Sequence, residues 1–278
     1  MRPRLVIFPG TMRGVHGGGQ VTALEKRDRK LIHGFEGIDG ASTGAAIGAY
    51  ALAGQAEEGT RLYYEECTTP DFISFRRMLH GGNGADVGYL AHQFRAGPKR
   101  LKQENIYASG TELCFGVTEY ETGNERYVVA KEVKPDIVHG IHVSIAMPAL
   151  YREPLYIDGV RCNDGGSSCR LVRKALSHKP TGVVVFTNCS RNHHESSAKK
   201  FMTNMIMIRE PKAQRVAIRN RYKAAAEDIE GLKESGVPYL ILYSDGEIGS
   251  YTRDADKLKK AAQRSCDHLL SLLDRAGV

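Results

Sequence analysis

Short apolar runs that end at glycine-rich loops dominate the pattern of hydrophobic and polar positions. Residues 5–8 form one continuous apolar run, and residues 35–39 are a second short strand candidate. A helical pattern follows each of them, at residues 21–26 and in the alanine-rich stretch 45–53. Continuous apolar runs are typical of buried strands in parallel sheets, and alanine favours helices. The two strand–loop–helix units therefore predict an α/β protein with a parallel sheet.

The rest of the chain continues with short strands and helices. The predicted strands are residues 112–118, 127–133, 155–157, 160–162, 182–186 and 237–243. The predicted helices are residues 137–147, 171–177 and 255–273. A Thr-Gly-Asn turn at 122–124 joins the first two of these strands and predicts an antiparallel pair. Residues 67–97 mix aromatic, glycine and charged positions without a clear period, and they receive no prediction.

The composition adds a basic surface to this picture. The 278 residues are 41% hydrophobic, which suffices for a sizeable core, and the net charge is +7. Positive charge favours anionic partners such as phospholipid head groups, although a soluble protein with a basic face is the simpler interpretation. The densest basic stretch, residues 199–223, predicts an amphipathic surface helix first and a patch facing an anionic membrane second. No Lys/Arg block resembles a nucleic-acid tail, so no nucleic-acid partner is expected.

The cysteines, the N-terminus and the histidines bear on location and on metal binding. The six scattered cysteines form no C-x-x-C motif, which favours reduced thiols in a cytosol over a zinc site or a disulfide framework. Only four strongly apolar residues follow the N-terminal Met-Arg-Pro-Arg, and no run of about 18 apolar residues occurs. His193-His194 in a polar loop is interpreted as solvated histidine rather than as a metal site. We therefore expect a cytoplasmic protein that meets any lipid from the aqueous side.

Gly40-Ala41-Ser42-Thr43-Gly44 matches the G-x-S-x-G pattern of a nucleophile elbow. A serine at a tight strand-to-helix turn takes a strained backbone conformation, and small residues two positions away let the strand and helix approach it. The helix N-terminus then favours a developing negative charge beside the serine. Because a strand is predicted before the motif and a helix after it, we interpret Ser42 as a nucleophile. An ordinary glycine-serine turn is the alternative.

The loop Pro9-Gly10-Thr11-Met12-Arg13-Gly14 is the candidate donor of hydrogen bonds to an oxyanion. If the first two strands are neighbours in the sheet, this loop and Ser42 lie at the same carboxyl edge, where α/β proteins bind ligands. Its backbone N–H groups can then stabilise negative charge on the reacting carbonyl. A nucleotide-binding loop is the competing interpretation, but a good G-x-G-x-x-G motif is missing there and no G-K-[ST] follows.

Asp164-Gly165-Gly166, directly after a predicted hairpin, contains the candidate base. A tight glycine turn can hold an aspartate rigidly against a neighbouring loop, although Asp-Gly is also a common turn. The histidines considered as alternative partners of Ser42 lie in no informative pattern: His139, His142, His178, His193, His194 and His268. Ser42 also lies early for the Ser-Asp-His order of α/β-hydrolases, which argues against a triad.

In this order along the chain, the motifs resemble those of the patatin-like phospholipase family. The matching segments are the glycine-rich opening and first helix at 13–25, the serine motif at 40–44, a strand and turn at 117–123, a Ser-Ala-Met-Pro segment at 144–154 and the aspartate motif at 156–166. The ordered match covers residues 5–190, and the remainder resembles a small bacterial subgroup more loosely. The resemblance implies one domain over residues 1–278. Its fold would be a three-layer α/β/α sandwich with a mostly parallel central sheet, completed by residues 237–273.

The resemblance also implies a serine acyl hydrolase that cleaves lipid esters, with phospholipid or lysophospholipid as substrate. Ser42 would form the acyl-enzyme, and Asp164 would accept its proton and later activate water, without a metal or a cofactor. An acyltransferase or a general carboxylesterase with the same Ser-Asp dyad remains an alternative, and so does a non-catalytic lipid-binding module. The oligomeric state stays open.

One departure from the family pattern concerns the oxyanion loop. The family usually has three glycines where this chain has Pro9, Gly10 and Thr11. Proline has no N–H, so Gly10 and Thr11 must supply the donors, with Met12 as a further candidate. Arg13 is expected to brace the loop, and binding of a substrate phosphate is the alternative role.

Overall fold

The computed structural model describes residues 2–191 and 197–278, in which eight strands form one mixed sheet. The strands are β1 (Arg4–Ile7), β2 (Gly37–Ala41), β3 (Glu112–Glu119), β4 (Glu125–Val129), β5 (Leu155–Ile157), β6 (Val160–Asp164), β7 (Val183–Thr187) and β8 (Tyr239–Tyr243). All the strands predicted from the sequence are present, and their ends differ from the predicted ones by a few residues at most.

Helices connect the strands and cover the sheet. In the described residues they are α1 (Val15–Asp28), α2 (Lys30–His33), α3 (Thr43–Ala53), α4 (Ala56–Glu65), α5 (Phe75–Leu79), α6 (Val87–Ala96), α7 (Gln103–Ala108), α8 (Ile137–Ile145), α9 (Leu171–Ser177), α10 (Ser197–Ile206), α11 (Lys212–Glu234) and α12 (Ala255–Ala276). The helices predicted at 45–53, 137–147, 171–177 and 255–273 correspond to α3, α8, α9 and α12.

Five strands run parallel and form the centre of the sheet, in the order β3-β2-β1-β7-β8. Strands β4 and β6 both run antiparallel to β3, and β5 pairs with β6. The prediction of an α/β fold with a mostly parallel sheet is therefore confirmed. Because parallel strands end at the same edge, the loops after β1, β2 and β7 lie close together.

Helices pack on both faces of the sheet, which gives the predicted three layers. Leu5 and Ile7 of β1 point into the larger core, which also contains side chains of α1, α3, α4, α6, α8 and α12. Val6, between them, points to the opposite face and packs in a second core with side chains of α9 and α11. A strand that is covered on both faces has apolar residues at every position, which explains the continuous run at residues 5–8.

Helix α1 begins at Val15 rather than at residue 21, so the three glycines at 17–19 lie in its first turns. Their small size allows close packing against neighbouring helices. A Cβ at Gly19 would lie 2.2 Å from the carbonyl oxygen of Ala262 in α12. A Cβ at Gly18 would lie 2.8 Å from the hydroxyl of Thr60 in α4. The lack of side chains at these positions thus brings α4 and α12 against the start of α1.

Two regions differ from what the sequence pattern suggests. The prediction of one helix over residues 199–223 is wrong, since α10 ends at Ile206 and α11 begins only after Pro211. Proline lacks an N–H and has a fixed φ, so it precedes a new helix instead of continuing the old one. Residues 67–97, for which the sequence analysis made no prediction, contain α5 and α6. The side chains of Ser74 and Asp86 cap these two helices by accepting backbone N–H groups.

Two further observations concern the limits of the described chain. Among the described residues, no helix combines the length and the apolar character needed to cross a bilayer. The interpretation of His193 and His194 concerns positions outside the described residues. Helix α10, which begins at Ser197, follows them in the chain.

Candidate active site

Ser42 lies at the sharp turn between β2 and α3. Its backbone has φ 55° and ψ −128°, a conformation that costs free energy for a residue with a side chain. A Cβ at Gly40 would lie 2.4 Å from the carbonyl oxygen of Gly44. A Cβ at Gly44 would lie 2.0 Å from the carbonyl oxygen of Ile7. The close approach of strand and helix thus requires glycine on both sides of the serine, which is the steric requirement of a nucleophile elbow.

Asp164 lies next to this turn because β2 and β6 pair with the same strand. Ala41, the last residue of β2, lies opposite Gly116 of β3. Asp164, the last residue of β6, lies opposite the following residue, Val117. Strand β4 occupies the other side of β3 at both positions. Strands β2 and β6 therefore meet end to end along one side of β3, although 122 residues separate Ser42 from Asp164.

The hydroxyl of Ser42 donates a hydrogen bond of 2.8 Å to Oδ2 of Asp164. The other carboxylate oxygen, Oδ1, accepts the backbone N–H of Gly166 at 2.6 Å. Ser42 is only 4% exposed and Asp164 only 5%. Burial raises the pKa of Asp164 to about 6, although these two hydrogen bonds and the positive charge of Arg221 act in the opposite direction. Such a carboxylate is still ionised at neutral pH, and it is a stronger base than an ordinary aspartate.

Ser144 fixes the backbone of the elbow from the neighbouring helix α8. Its buried hydroxyl accepts the N–H of Ser42 at 2.9 Å and donates to the carbonyl oxygen of Gly116 at 2.7 Å. The N–H of Asp164 donates to the carbonyl oxygen of Ala146 at 3.0 Å, directly after α8. The end of α8 therefore holds both members of the pair, a role that the sequence alone does not indicate.

The loop after β1 forms a 3-10 turn at Thr11–Gly14. Thr11 has φ 52°, in the left-handed region that favours the glycine usual in the family. Within the described part of the chain, the N–H groups of Gly10 and Thr11 have no acceptor, and neither has that of Thr43 at the start of α3. The N–H of Met12 instead donates to the carbonyl oxygen of Ser250 at 3.4 Å. Met12 is therefore not the further oxyanion donor expected from the sequence.

Asn188 holds this loop in place and has no counterpart among the sequence predictions. It is completely buried and directly follows β7. Its side-chain amide donates to the carbonyl oxygen of Phe8 and accepts the N–H of Gly17 at 3.0 Å. A Cβ at Gly10 would lie 2.5 Å from the Cβ of Asn188, so glycine is needed there. The available signal was its position, a polar residue after the strongest buried strand at the ligand-binding edge.

Arg13 connects the loop with α11. Its Nε donates to the carbonyl oxygen of Gly10 at 3.2 Å, and a terminal nitrogen donates to the hydroxyl of Tyr222 at 3.4 Å. The first of these bonds is the contact expected of a residue that braces the loop. Gly14 has no room for a side chain, since a Cβ there would lie 2.2 Å from the hydroxyl of Tyr63.

Gly165 and Gly166 allow the chain to turn tightly after Asp164. A Cβ at Gly165 would lie 2.0 Å from the carbonyl oxygen of Gly116. A Cβ at Gly166 would lie 2.8 Å from the Cβ of Pro9. The turn therefore packs between β3 and the loop after β1, which brings the aspartate segment against the candidate oxyanion loop.

Two cavities meet at Ser42. The first lies between α3, α4 and α6 and comprises about 730 Å³ of space that is partly open to solvent. Its walls are almost entirely apolar, and side chains from all three helices contribute: Ile47, Leu62, Tyr63, Leu90 and Phe94. One wall is α6, which lies in the region without a sequence prediction. Its buried residues, Val87, Leu90, Ala91 and Phe94, follow a helical spacing that the sequence analysis did not identify.

The second cavity comprises about 1010 Å³ of space that is partly open to solvent, and it contains the polar groups of the site. Asp164, Arg13 and Arg221 line it, together with Gly10 and Thr11 of the loop. Residues that border both cavities mark their junction: Thr11, Ser42, Met147, Ser250 and Tyr251. Among the described residues, no group of three or more His, Cys, Asp or Glu is placed to hold a metal ion. The arrangement thus offers an alcohol whose proton can pass to a carboxylate, between an apolar cavity and a polar one.

Comparisons with known proteins identify the family of the chain. Residues 5–175 match the family model of the patatin-like phospholipases, and a search of curated proteins found no match. The chain is similar to the solved structure of VipD from Legionella pneumophila, with 13% identity and a TM-score of 0.49 over 97% of this chain and 67% of that one. It is also similar to the type III effector protein ExoU, with 13% identity and a TM-score of 0.38 over 98% of this chain and 53% of that one. The chain thus spans about two thirds and about half the lengths of these two proteins. Because the family match covers more than half of the sequence, the chain belongs to the patatin-like phospholipase family.

Proposed function

We propose that this protein is a lipid acyl hydrolase that cleaves carboxylic esters through an acyl-enzyme on Ser42. The observation that carries the proposal is the 2.8 Å hydrogen bond from Ser42 to a buried carboxylate at the junction of two cavities. Membership of the patatin-like phospholipase family supports it independently. A strained serine, a base in hydrogen-bond contact and nearby backbone donors are the groups that acyl transfer needs.

The reaction begins when Oγ of Ser42 attacks the ester carbonyl carbon while its proton passes to Asp164. The carbonyl oxygen becomes negatively charged, and the N–H groups of Gly10, Thr11 and Thr43 are the donors available to stabilise it. When the tetrahedral intermediate collapses, Asp164 returns the proton to the departing alcohol. The same carboxylate then activates water, which releases the fatty acid from Ser42.

The two cavities assign the two halves of the substrate. The apolar cavity suits an acyl chain, because burial of each CH₂ group contributes about 0.8 kcal/mol. The second cavity suits the alcohol side of the ester, and its two arginines, Arg13 and Arg221, favour an anionic leaving group. A phospholipid or a lysophospholipid meets both requirements, since a phosphate lies close to its ester bonds.

A lipid panel tests the proposal. Phosphatidylcholine, lysophosphatidylcholine, phosphatidylglycerol and a triacylglycerol are incubated with the wild type and with Ser42→Ala, and free fatty acid is measured. We expect release from at least one phospholipid by the wild type and only background release by the variant. Equal release by both proteins, or none from any lipid, would overturn the proposal. Adding glycerol as a competing acceptor distinguishes a hydrolase from an acyltransferase, because a transferase forms a new ester.

A further inference from the structure

Helix α10 and the 3-10 turn that follows it, Met207–Arg209, are apolar on two opposite sides. One side lines the second cavity through Thr203, Ile206 and Met207. The other side faces solvent and carries large apolar side chains that are 55–67% exposed: Phe201, Met202, Met205 and Ile208. We call these four residues the outer face of α10. Their spacing places them next to one another on the helix surface, and such an apolar patch marks an interaction surface.

The excess positive charge of the chain lies in the same segment. Residues 197–223 contain eight Lys and Arg and a single glutamate, and this surplus of seven equals the net charge of +7 of the whole chain. The rest of the sequence is therefore electrically balanced. Basic side chains are exposed at the end of the 3-10 turn and in the first turns of α11: Arg209, Lys212, Arg215 and Arg219.

A second group of exposed apolar residues borders the same opening. Tyr251, which lines both cavities, stacks edge to face on Phe75 with the ring centroids 6.2 Å apart. Phe75 is half exposed, and Leu79, one turn later on α5, is 86% exposed. Apolar side chains therefore flank the entrance to the site on the α5 side as well as on the α10 side.

We propose that the outer face of α10 and the basic start of α11 form a docking surface for an anionic lipid bilayer. The combination of exposed Phe, Met and Ile with flanking Lys and Arg is that of an interfacial helix, whose apolar side enters the acyl region while its cations stay at the head groups. A nucleic acid would use the cations but would leave the four apolar side chains exposed to water. A bilayer with anionic head groups matches both properties.

Docking in this orientation brings the second cavity close to the membrane surface. The opposite side of α10 lines that cavity, so a helix that is inserted on its outer face lies directly between the bilayer and Ser42. A lipid could then move from the bilayer into the site without crossing bulk water. This consequence rests on the proposed function, whereas the binding itself does not depend on catalysis.

The binding test uses the Ser42→Ala protein, so that the lipid is not consumed. Its co-sedimentation is measured with vesicles of pure phosphatidylcholine and with vesicles that contain roughly one third phosphatidylserine. We expect binding to the anionic vesicles to be at least tenfold tighter and to weaken as salt is raised, because salt screens the attraction between charges. Equal binding to both kinds of vesicle, or none to either, would overturn the proposal.

Matched variants in the same background locate the surface. Phe201→Ser/Met202→Ser should weaken binding roughly tenfold, whereas Tyr107→Ser, which removes a ring that is 45% exposed on α7, should not. Lys212→Gln/Arg215→Gln should weaken it by about fivefold per charge, whereas Lys259→Gln/Lys260→Gln on α12 should not. Circular dichroism and thermal unfolding verify that each variant is folded. If a control variant weakens binding as much as its partner, the assigned surface is wrong.

The outcomes separate this proposal from the proposed function. Binding to vesicles by a protein whose wild type hydrolyses no ester would support the docking surface and overturn the hydrolase. Ser42-dependent hydrolysis of a soluble short-chain ester without binding to anionic vesicles would do the reverse. Tight binding to duplex DNA, with no loss in Phe201→Ser/Met202→Ser, would replace the bilayer by a nucleic acid.

Discussion

Two serines in this protein have partners typical of hydrolases, and they lie in very different surroundings. Ser42 has only Asp164 as its partner, at 2.8 Å. Ser265 of α12 instead lies 2.9 Å from Nδ1 of His16, whose Nε2 lies 3.3 Å from Asp245. By residue type, the second group is the Ser-His-Asp set of many serine hydrolases.

The surroundings favour Ser42 on each count that matters to catalysis. Ser265 lies within a helix of 22 residues, where the backbone N–H groups are already bonded to carbonyl groups one turn earlier. Neither of the two cavities is lined by Ser265 or His16. The carboxylate of Asp245 also forms an ion pair with Arg264 at 2.8 Å. His16 thus ties α1 to α12 and to the segment after β8, and three suitable side chains alone do not make an active site.

The largest difference in ester hydrolysis is expected between the variants Ser42→Ala and Ser265→Ala. The first should lower ester hydrolysis at least about 10⁴-fold and abolish labelling by a fluorophosphonate probe, because the attacking atom is lost. The second should change the rate by less than about twofold, since no oxyanion donor serves Ser265. Rates and labelling are measured side by side. A labelled Ser42→Ala protein, or an unlabelled Ser265→Ala protein, would reverse the assignment.

Asp164→Asn should lower kcat about 10³-fold, because an amide cannot accept the serine proton. In the wild type the base works only when ionised, and burial raises the pKa of Asp164 to about 6. The value of kcat/KM should therefore fall about tenfold per pH unit below pH 6 and level off above pH 7. The residual activity of Asp164→Asn should lack this step. A wild-type profile without a step near pH 6 would argue against Asp164 as the base.

Asn188→Ala should lower kcat roughly tenfold while KM changes little, because the loop with Gly10 and Thr11 loses its anchor. Asn105→Ala is the matched control, since its amide also donates to a backbone carbonyl group, that of Ala53, but serves no residue of the site. Steady-state kinetics and thermal unfolding are measured for both variants. Equal losses of kcat would mean that Asn188 acts only on overall stability.

The smallest effect is a gain in stability on replacing Asp164. A folded-state pKa of about 6, above the ordinary 3.8, means that the folded protein holds the proton more tightly, so stability falls as pH rises between these values. This difference corresponds to at most about 3 kcal/mol above pH 6. Asp164→Asn should unfold about 5 °C higher than the wild type at pH 8, and the two midpoints should converge near pH 4. A difference that does not vary with pH would contradict this explanation.

The parts of the molecule that could be predicted are those with short-range signals. Residues 182–186 are continuously apolar, and they form β7 because a strand buried on both faces needs such a run. Ser42 and Asp164 could be singled out from their glycine-rich motifs and from the resemblance to a family. Their contact was implied only by that resemblance, because it depends on the pairing of two distant strands with β3, which no local pattern encodes.

The walls of the site were harder to predict. Helix α6 supplies Val87, Leu90 and Phe94 to the apolar cavity at the spacing of a helical stripe, but the helix has only 10 residues and lies among glycines and charged residues that obscure the pattern. The basic stretch at 199–223 has a helical period, but Pro211 divides it. Asn188 and Ser144 each form two hydrogen bonds with backbone groups that are distant in sequence, and a lone polar residue has no recognisable sequence pattern.

Strands β2 and β6 pair with the same neighbour, β3. Their two registers with β3 therefore fix the distance between Ser42 and Asp164. Each strand residue advances about 3.3 Å, so a slip of one position would break the contact and also turn the side chain to the opposite face. Lengthening the helices and loops between the two motifs changes neither pairing. Most of the positions between Ser42 and Asp164 lie outside these pairings, so the helices and loops around the cavities can change while the distance between the two residues is kept.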